Sequence, residues 1–117
     1  MIGIIAAMRE EVAAIVEAAA AEGPVRAESV AGVRLEHGTL AGHDVVLAQS
    51  GIGKVAAATT ATLLCERVDA LLMVGTAGGI GDGVGPGDVV VATATLQHGI
   101  QNLLRHFVPD VVEVRPM

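Results

Sequence analysis

The apolar positions of the chain change their period at several points, and each change predicts a new element. Residues 2–6 form a short continuous apolar run, which predicts a buried strand. Beyond Glu10, apolar residues recur at helical spacing, at Val12, Ile15, Val16 and Ala19. The Gly23-Pro24 pair predicts the end of this helix, so the chain opens with a strand followed by a helix.

The next part of the chain has the pattern of β-structure. Three segments rich in strand-forming residues follow, at 25–30, 33–40 and 44–49. They are separated by Gly32 and by the Ala41-Gly42-His43 turn, and such short connections predict an antiparallel meander.

A second strand–helix alternation follows the meander. Residues 55–67 predict a helix and residues 70–74 an apolar, buried strand. A glycine-rich stretch at 75–87 and a β-branched strand at 89–95 follow. This alternation predicts an α/β fold with a mixed, largely parallel central sheet flanked by helices. With no linker or repeat, residues 1–117 are expected to form a single domain.

The pattern changes again after His98. Residues 103–104, 107–108, 111–112 and 114 are apolar, but no turn or helix completes another strand–helix unit before Met117. We therefore expect the domain to be incomplete in this sequence and apparently truncated.

Composition and charge narrow the classes of protein. The chain is 52% hydrophobic with one Phe and neither Trp nor Tyr, so its core is expected to be aliphatic. Its net charge of -6, with no basic cluster, argues against a nucleic-acid surface.

Arg9, Glu10 and Glu11 interrupt the first apolar run, so no membrane span is expected, and no basic leader precedes it. The single Cys65 fits a reducing compartment, and we expect a cytoplasmic protein.

Small and charged residues follow three of the predicted strands, at residues 6–11, 50–54 and 75–79. Sites in open α/β sheets form outside the carboxyl ends of strands, so these three junctions are expected to line one cleft. Their glycines allow tight turns and close approach of the backbone to a ligand.

The first junction places Glu10 and Glu11 at the start of the first helix. One interpretation is structural, because carboxylates there favour the helix dipole by a few tenths to about 1 kcal/mol. The other is catalytic, because a carboxylate within hydrogen-bond reach of a water can accept its proton. Spacing alone favours the structural interpretation.

The second junction matches the G-x-G-x-x-A dinucleotide pattern through Gly51, Gly53 and Ala56. A dinucleotide site also needs an acidic residue after the next strand, but residues 71–74 lead into Gly75-Thr76. Nor is it a phosphate-binding P-loop, because Lys54 is followed by Val55 rather than by Ser or Thr. We therefore expect no nucleotide cofactor.

The remaining candidate groups are few. The third junction offers the Thr76 hydroxyl amid small residues. The four histidines, at 37, 43, 98 and 106, lack the spacing of a zinc site, so we expect no metal. His37 and His43 are expected to be exposed in the meander, and Cys65 to be a buried thiol within a helix.

Four segments carry a family resemblance, at residues 2–12, 50–58, 75–79 and 87–91. In this order and spacing the chain resembles the 5′-methylthioadenosine/S-adenosylhomocysteine nucleosidases of the purine nucleoside phosphorylase superfamily. The resemblance covers residues 1–98, whereas the tail, residues 99–117, does not follow the family pattern.

The resemblance implies a phosphorylase/hydrolase-like fold, a homodimer or larger assembly, no cofactor, and hydrolysis of a nucleoside to release adenine. It gives Glu11 the role of positioning and activating the attacking water, which raises the catalytic interpretation above the structural one. An anion there also stabilises the positive charge of an oxocarbenium-like transition state. The residues that it implies along the nucleoside are Ala7, Met8, Ile52, Thr76, Ala77 and Gly78.

The sequence also departs from the family. The family's downstream Ser-Asp motif, with the general acid, and its ribose-binding Met-Glu motif have no counterpart here, and His98-Gly99 stands where the family usually has His-Asp. These departures imply a catalytically incomplete chain. One alternative is a non-catalytic nucleoside-binding or interaction fragment. Another is a related nucleoside phosphorylase or hydrolase, and Arg9 in the first junction keeps the phosphorylase interpretation open.

Overall fold

The computed structural model describes residues 1–90. The chain divides into two compact units, Met1–Thr76 and Ala77–Met117, and all the elements below belong to the first. In chain order they are β1 (Ile2–Ala6), α1 (Arg9–Glu22), β2 (Arg26–Val30), β3 (Val33–Leu40), β4 (His43–Gln49), α2 (Lys54–Cys65) and β5 (Ala70–Val74). No helix in residues 1–90 is long and apolar enough to cross a bilayer.

The five strands form one mixed sheet in the order β2-β3-β4-β1-β5. β1 lies between β4 and β5 and runs parallel to both, whereas β2, β3 and β4 form the predicted antiparallel meander. The mixed α/β sheet is thus confirmed, with parallel pairing concentrated around β1. The strand predicted at 89–95 lies, from residue 91 onward, outside the described residues.

The two helices cover opposite faces of the sheet, because side chains alternate along each strand. On one face Ile4, Val45 and Leu47 pack with Ile15 and Val16 of α1. On the other face the buried cluster contains Ile5, Leu35, Val46, Ala48 and Leu64, the last from α2. Full burial of each large aliphatic side chain contributes about 1.5–3 kcal/mol. The centre of the sheet, β1 and β4, is therefore buried on both faces.

Three expectations about burial were wrong. The strand β5 is exposed rather than buried, with Leu72 51% and Met73 60% exposed, because it lies at the end of the described sheet and has β1 as its one neighbour there. Cys65 is exposed because it is the last residue of α2. His37 is half-buried, since its Nε2 atom lies 2.8 Å from the Glu28 carboxylate on the adjacent strand.

Candidate active site

The three strand-to-loop junctions lie side by side at one end of the sheet. Ala6, the last residue of β1, is in register with Gln49, the last residue of β4, and with Val74, the last residue of β5. Three parallel strands therefore end at the same level. The segments that follow them all begin at this edge of the sheet, as the sequence predicted.

The connections from β1 and β4 diverge at this edge. The loop after β1 leads to α1 on one face, and the loop after β4 leads to α2 on the other face. Neighbouring parallel strands whose helices lie on opposite faces leave a crevice between them, which is where open α/β sheets bind ligands. The candidate site is therefore located at the carboxyl ends of β1 and β4, with β5 beside them.

The loop after β1 is closed by a carboxylate. Met8, which precedes α1, has an extended backbone (φ -113°, ψ 151°), and its amide donates a hydrogen bond of 3.1 Å to Glu11 Oε2. This is the half of a capping box in which the third helical residue reaches back to the residue before the helix. Met8 has no side-chain oxygen for the other half, so Glu11 provides the cap. Ala7 is half-buried between this cap and β1.

The same carboxylate also reaches the end of β5. Glu11 Oε1 accepts hydrogen bonds from the Thr76 amide at 3.0 Å and from the Thr76 hydroxyl at 3.3 Å. Two hydrogen bonds from Thr76 thus join the first junction to the third, and with the Met8 amide the Glu11 carboxylate has three donors.

These donors stabilise the negative charge of Glu11. Its pKa is lowered below that of an ordinary glutamate, first by the Met8 amide and then by the Thr76 amide. Partial burial opposes this effect and raises the pKa, whereas the Thr76 hydroxyl and the Ala7 amide lower it further. Glu11 is therefore an anion at neutral pH, able to accept a proton and to face a carbon that develops positive charge.

Glu10 provides a natural contrast. It lies one residue earlier on α1, it is exposed, and its carboxylate makes no hydrogen bond or ion pair with any group in residues 1–90. The two glutamates, equivalent in the sequence pattern, therefore differ in structure, and only Glu11 is held at the junction.

The loop after β4 is attached to the end of β1. The Ser50 amide donates to the Ala6 carbonyl at 2.9 Å, and the Ser50 hydroxyl donates to the Gly51 carbonyl at 2.8 Å. Gly51 and Gly53 have φ values of +83° and +112°, which favour glycine. Between them Ile52 is 83% exposed, so this turn presents an apolar side chain to solvent.

The last two predicted site residues, Ala77 and Gly78, belong to the second unit and are exposed. Sequence reasoning placed Thr76 among the lining residues but missed its bonds to Glu11. The two residues are 65 positions apart, and their meeting depends on the pairing of β1 with β5. No cluster of potential metal ligands occurs in the part of the chain that the structure describes.

A cleft of about 430 Å³ lies between α1 and strands β3 and β4 and includes Gln49, the last residue of β4, in its lining. Its lining residues are Arg9, Val12, Ala13, Val16, Glu17, Arg34, Glu36, Leu47 and Gln49. Neither Glu11 nor Thr76 contributes to it. Within the first turn of α1, Arg9 therefore lines this cleft, whereas Glu11 lies where the ends of β1 and β5 meet.

Comparison with known proteins identifies the family. The sequence model of the phosphorylase superfamily matches residues 1–116. The 5′-methylthioadenosine/S-adenosylhomocysteine nucleosidase of Shewanella sp. (strain MR-7) is 44% identical over 101 residues, which are 85% of this chain and 42% of that protein.

Solved structures agree with the sequence comparison. The nucleosidase of the same name from S. pneumoniae, solved with a transition-state inhibitor, has a TM-score of 0.68 and 43% identity over 74% of this chain and 37% of its own. The one from Colwellia psychrerythraea, in complex with adenine, has a TM-score of 0.62 and 44% identity over 67% of this chain and 32% of its own. The chain thus spans about 42% of the length of the curated relatives that it matches. It belongs to the phosphorylase superfamily, and the resemblance to the nucleosidases predicted from its four short segments is confirmed.

Proposed function

We propose that the protein to which this chain belongs hydrolyses the N-glycosidic bond of 5′-methylthioadenosine or S-adenosylhomocysteine and releases adenine, a step of methionine salvage. The observation that carries the proposal is the Glu11 carboxylate, held as an anion between the ends of β1 and β5. The relatives that match the chain are named as nucleosidases for these two substrates.

The proposed step needs a base and a stabilising anion. The bond between the ribosyl carbon and adenine breaks and leaves its electron pair on adenine, while a water oxygen bonds to the ribosyl carbon. Glu11 accepts a proton from that water, and its charge stabilises the oxocarbenium-like carbon. Adenine takes a proton at N7 from a general acid, which we place, by family resemblance, in a downstream motif outside this chain.

The remaining site residues would line the nucleoside. We place Ala7 and Met8 along the ribose and its 5′ substituent, and Thr76, Ala77 and Gly78 along the nucleoside. Ile52 would border the 5′-alkylthio group, and its exposure suits an apolar wall that a ligand covers. No cofactor is needed. We also propose a cytoplasmic location, which agrees with the single Cys65.

The position of Arg9 favours hydrolysis over phosphorolysis. A phosphorylase must hold a phosphate anion near the ribosyl carbon, whereas the group that joins the ends of β1 and β5 is the Glu11 carboxylate, which repels phosphate. Arg9, a cation that could bind phosphate, lines the cleft between α1 and strands β3 and β4, to which Glu11 does not contribute.

This distinction is tested in an enzyme that joins residues 1–98 to the remaining residues of the Shewanella nucleosidase, called here the joined enzyme. Methylthioadenosine is supplied with and without inorganic phosphate, and the sugar product is identified. We expect equal rates of adenine release and a free methylthioribose in both cases. Release that requires phosphate and yields a sugar phosphate would contradict the proposal and favour a phosphorylase.

We further propose that the chain associates as a homodimer or a larger species. The apolar residues Leu71, Leu72 and Met73 of β5 are exposed, and exposed apolar surface at the end of the described sheet favours association. Sedimentation of the 117-residue chain at roughly tens of micromolar, a usual range for weak self-association, is expected to show a dimer or more. A single monomeric species at that concentration would contradict this proposal.

A further inference from the structure

The two oxygens of the Glu11 carboxylate are bonded unequally. An ionised carboxylate only accepts hydrogen bonds, and each oxygen has two lone pairs. Oε1 receives two donors, the amide and the hydroxyl of Thr76, so both of its lone pairs are used. Oε2 receives one hydrogen bond, from the Met8 amide at 3.1 Å. The Ala7 amide lowers the pKa of Glu11 as well but is not among its hydrogen-bond donors, so Oε2 keeps one lone pair.

We propose that Thr76 is a positioning residue for Glu11, fixing Oε1 so that the proton of the attacking water is accepted by Oε2. This inference rests on the proposed nucleosidase function, which it deepens by assigning the reacting atom. With the Met8 amide as its one donor, the carboxylate could still rotate about its Cγ–Cδ bond, because that hydrogen bond restrains only one of the two oxygens. The two bonds from Thr76 hold the second oxygen, so that the carboxylate keeps one orientation.

Of the two donors of Thr76, the hydroxyl belongs to the side chain and can be removed by substitution, whereas the amide belongs to the backbone. Any residue at this position provides the amide, whereas only Thr or Ser provides the donor at 3.3 Å. Thr76→Val keeps the branched shape and removes the hydroxyl, and Thr76→Ser keeps the hydroxyl and removes the methyl group. Because Thr76 is exposed, neither variant opens a cavity in the core.

The first test measures the Glu11 carboxyl itself, by carbon-detected NMR titration of the 117-residue chain, and needs no turnover. The hydroxyl favours the charged form, so we expect the pKa of Glu11 to be higher in Thr76→Val than in the unchanged chain and to return in Thr76→Ser. An unchanged pKa of Glu11 in Thr76→Val would overturn the proposal.

Thr76→Ala is the second variant, for the case in which Thr76→Val does not fold, and it is expected to give the same upward shift. If neither variant folds while Thr76→Ser does, Thr76 is a structural residue and the proposal is wrong.

The second test measures catalysis in the joined enzyme. Loss of one hydrogen bond that orients the base is expected to lower kcat about three- to tenfold in Thr76→Val with little change in KM. The acid limb of kcat/KM should move to higher pH, and both effects should be reversed in Thr76→Ser. A rise in KM alone would overturn the positioning role. Failure of the proposed function would give a different result. In that case Glu11→Gln would leave the rate of adenine release unchanged, whatever pKa the NMR titration gives for Glu11.

Discussion

A polypeptide of residues 1–117 alone is expected to release adenine from methylthioadenosine at well below one turnover per second, the lower end of ordinary enzymes. In the proposed mechanism Glu11 is the base, but adenine that leaves without a proton is a poor leaving group. The absence of a general acid typically costs about 10²- to 10⁴-fold in rate. The family's ribose-binding carboxylate is absent as well, so the substrate is positioned less well and the rate is lowered further.

The two aspartates that the structure describes in the first unit, Asp44 and Asp69, do not replace this acid. Asp69 forms an ion pair of 2.7 Å with the amino group of Met1, at the start of β1, whereas Glu11 lies beyond its end. A strand of five residues separates the two by about 17 Å. Asp44 likewise lies near the start of β4, at the end of the sheet opposite the junctions.

The measurement is adenine release from purified residues 1–117, with the joined enzyme as the control at equal concentration. The joined enzyme should turn over both methylthioadenosine and adenosylhomocysteine. Turnover near one per second or above by residues 1–117 would contradict the assignment of the general acid to the downstream motif. If the joined enzyme is also inactive but binds substrate, the chain is better described as a nucleoside-binding module.

Glu11→Gln in the joined enzyme is expected to lower kcat by about 10²-fold or more. The amide has the size of the carboxylate, and its oxygen can still accept the hydrogen bond of the Met8 amide. It cannot take a proton from water at neutral pH, and it removes the anion that faces the ribosyl carbon. The effect should therefore fall mainly on kcat rather than on KM.

Glu10→Gln is the matched control, because it makes the same chemical change one residue earlier on an exposed side chain. Both variants remove one negative charge from the first turn of α1, so any loss of favourable interaction with the helix dipole is shared. The difference between the two variants therefore isolates the hydrogen-bonded position of Glu11.

The strands and helices were largely predictable because their signals are local. The predicted bounds of β1, β3 and β5 agree with the structure, since each is an uninterrupted β-type run between turn residues. Burial was less predictable because it depends on neighbours. The apolar sequence of β5 predicts a buried strand, but Leu72 and Met73 are exposed where the described sheet ends. His37 is half-buried because of Glu28, a partner on another strand.

The site was predictable in outline for a similar reason. Loops that follow parallel strands meet at one edge of the sheet, so residues 6–11 and 50–54 could be placed together before the structure was known. The choice between Glu10 and Glu11 could not be made from the spacing, because both lie in the first turn of α1. It depends on the register of β1 with β5, which brings the Thr76 donors to Glu11 and leaves Glu10 in solvent.

The role of Glu11 is tested most directly by the ratio of kcat in Glu11→Gln to kcat in Glu10→Gln, measured by adenine release from methylthioadenosine in the joined enzyme. Circular dichroism of both variants shows whether α1 is retained. If Glu11 is the base that activates water, the ratio is about 10⁻² or lower, with Glu10→Gln close to the unchanged enzyme. A ratio near one, with both variants almost fully active, would show that the Glu11 carboxylate only caps α1 and joins it to β5.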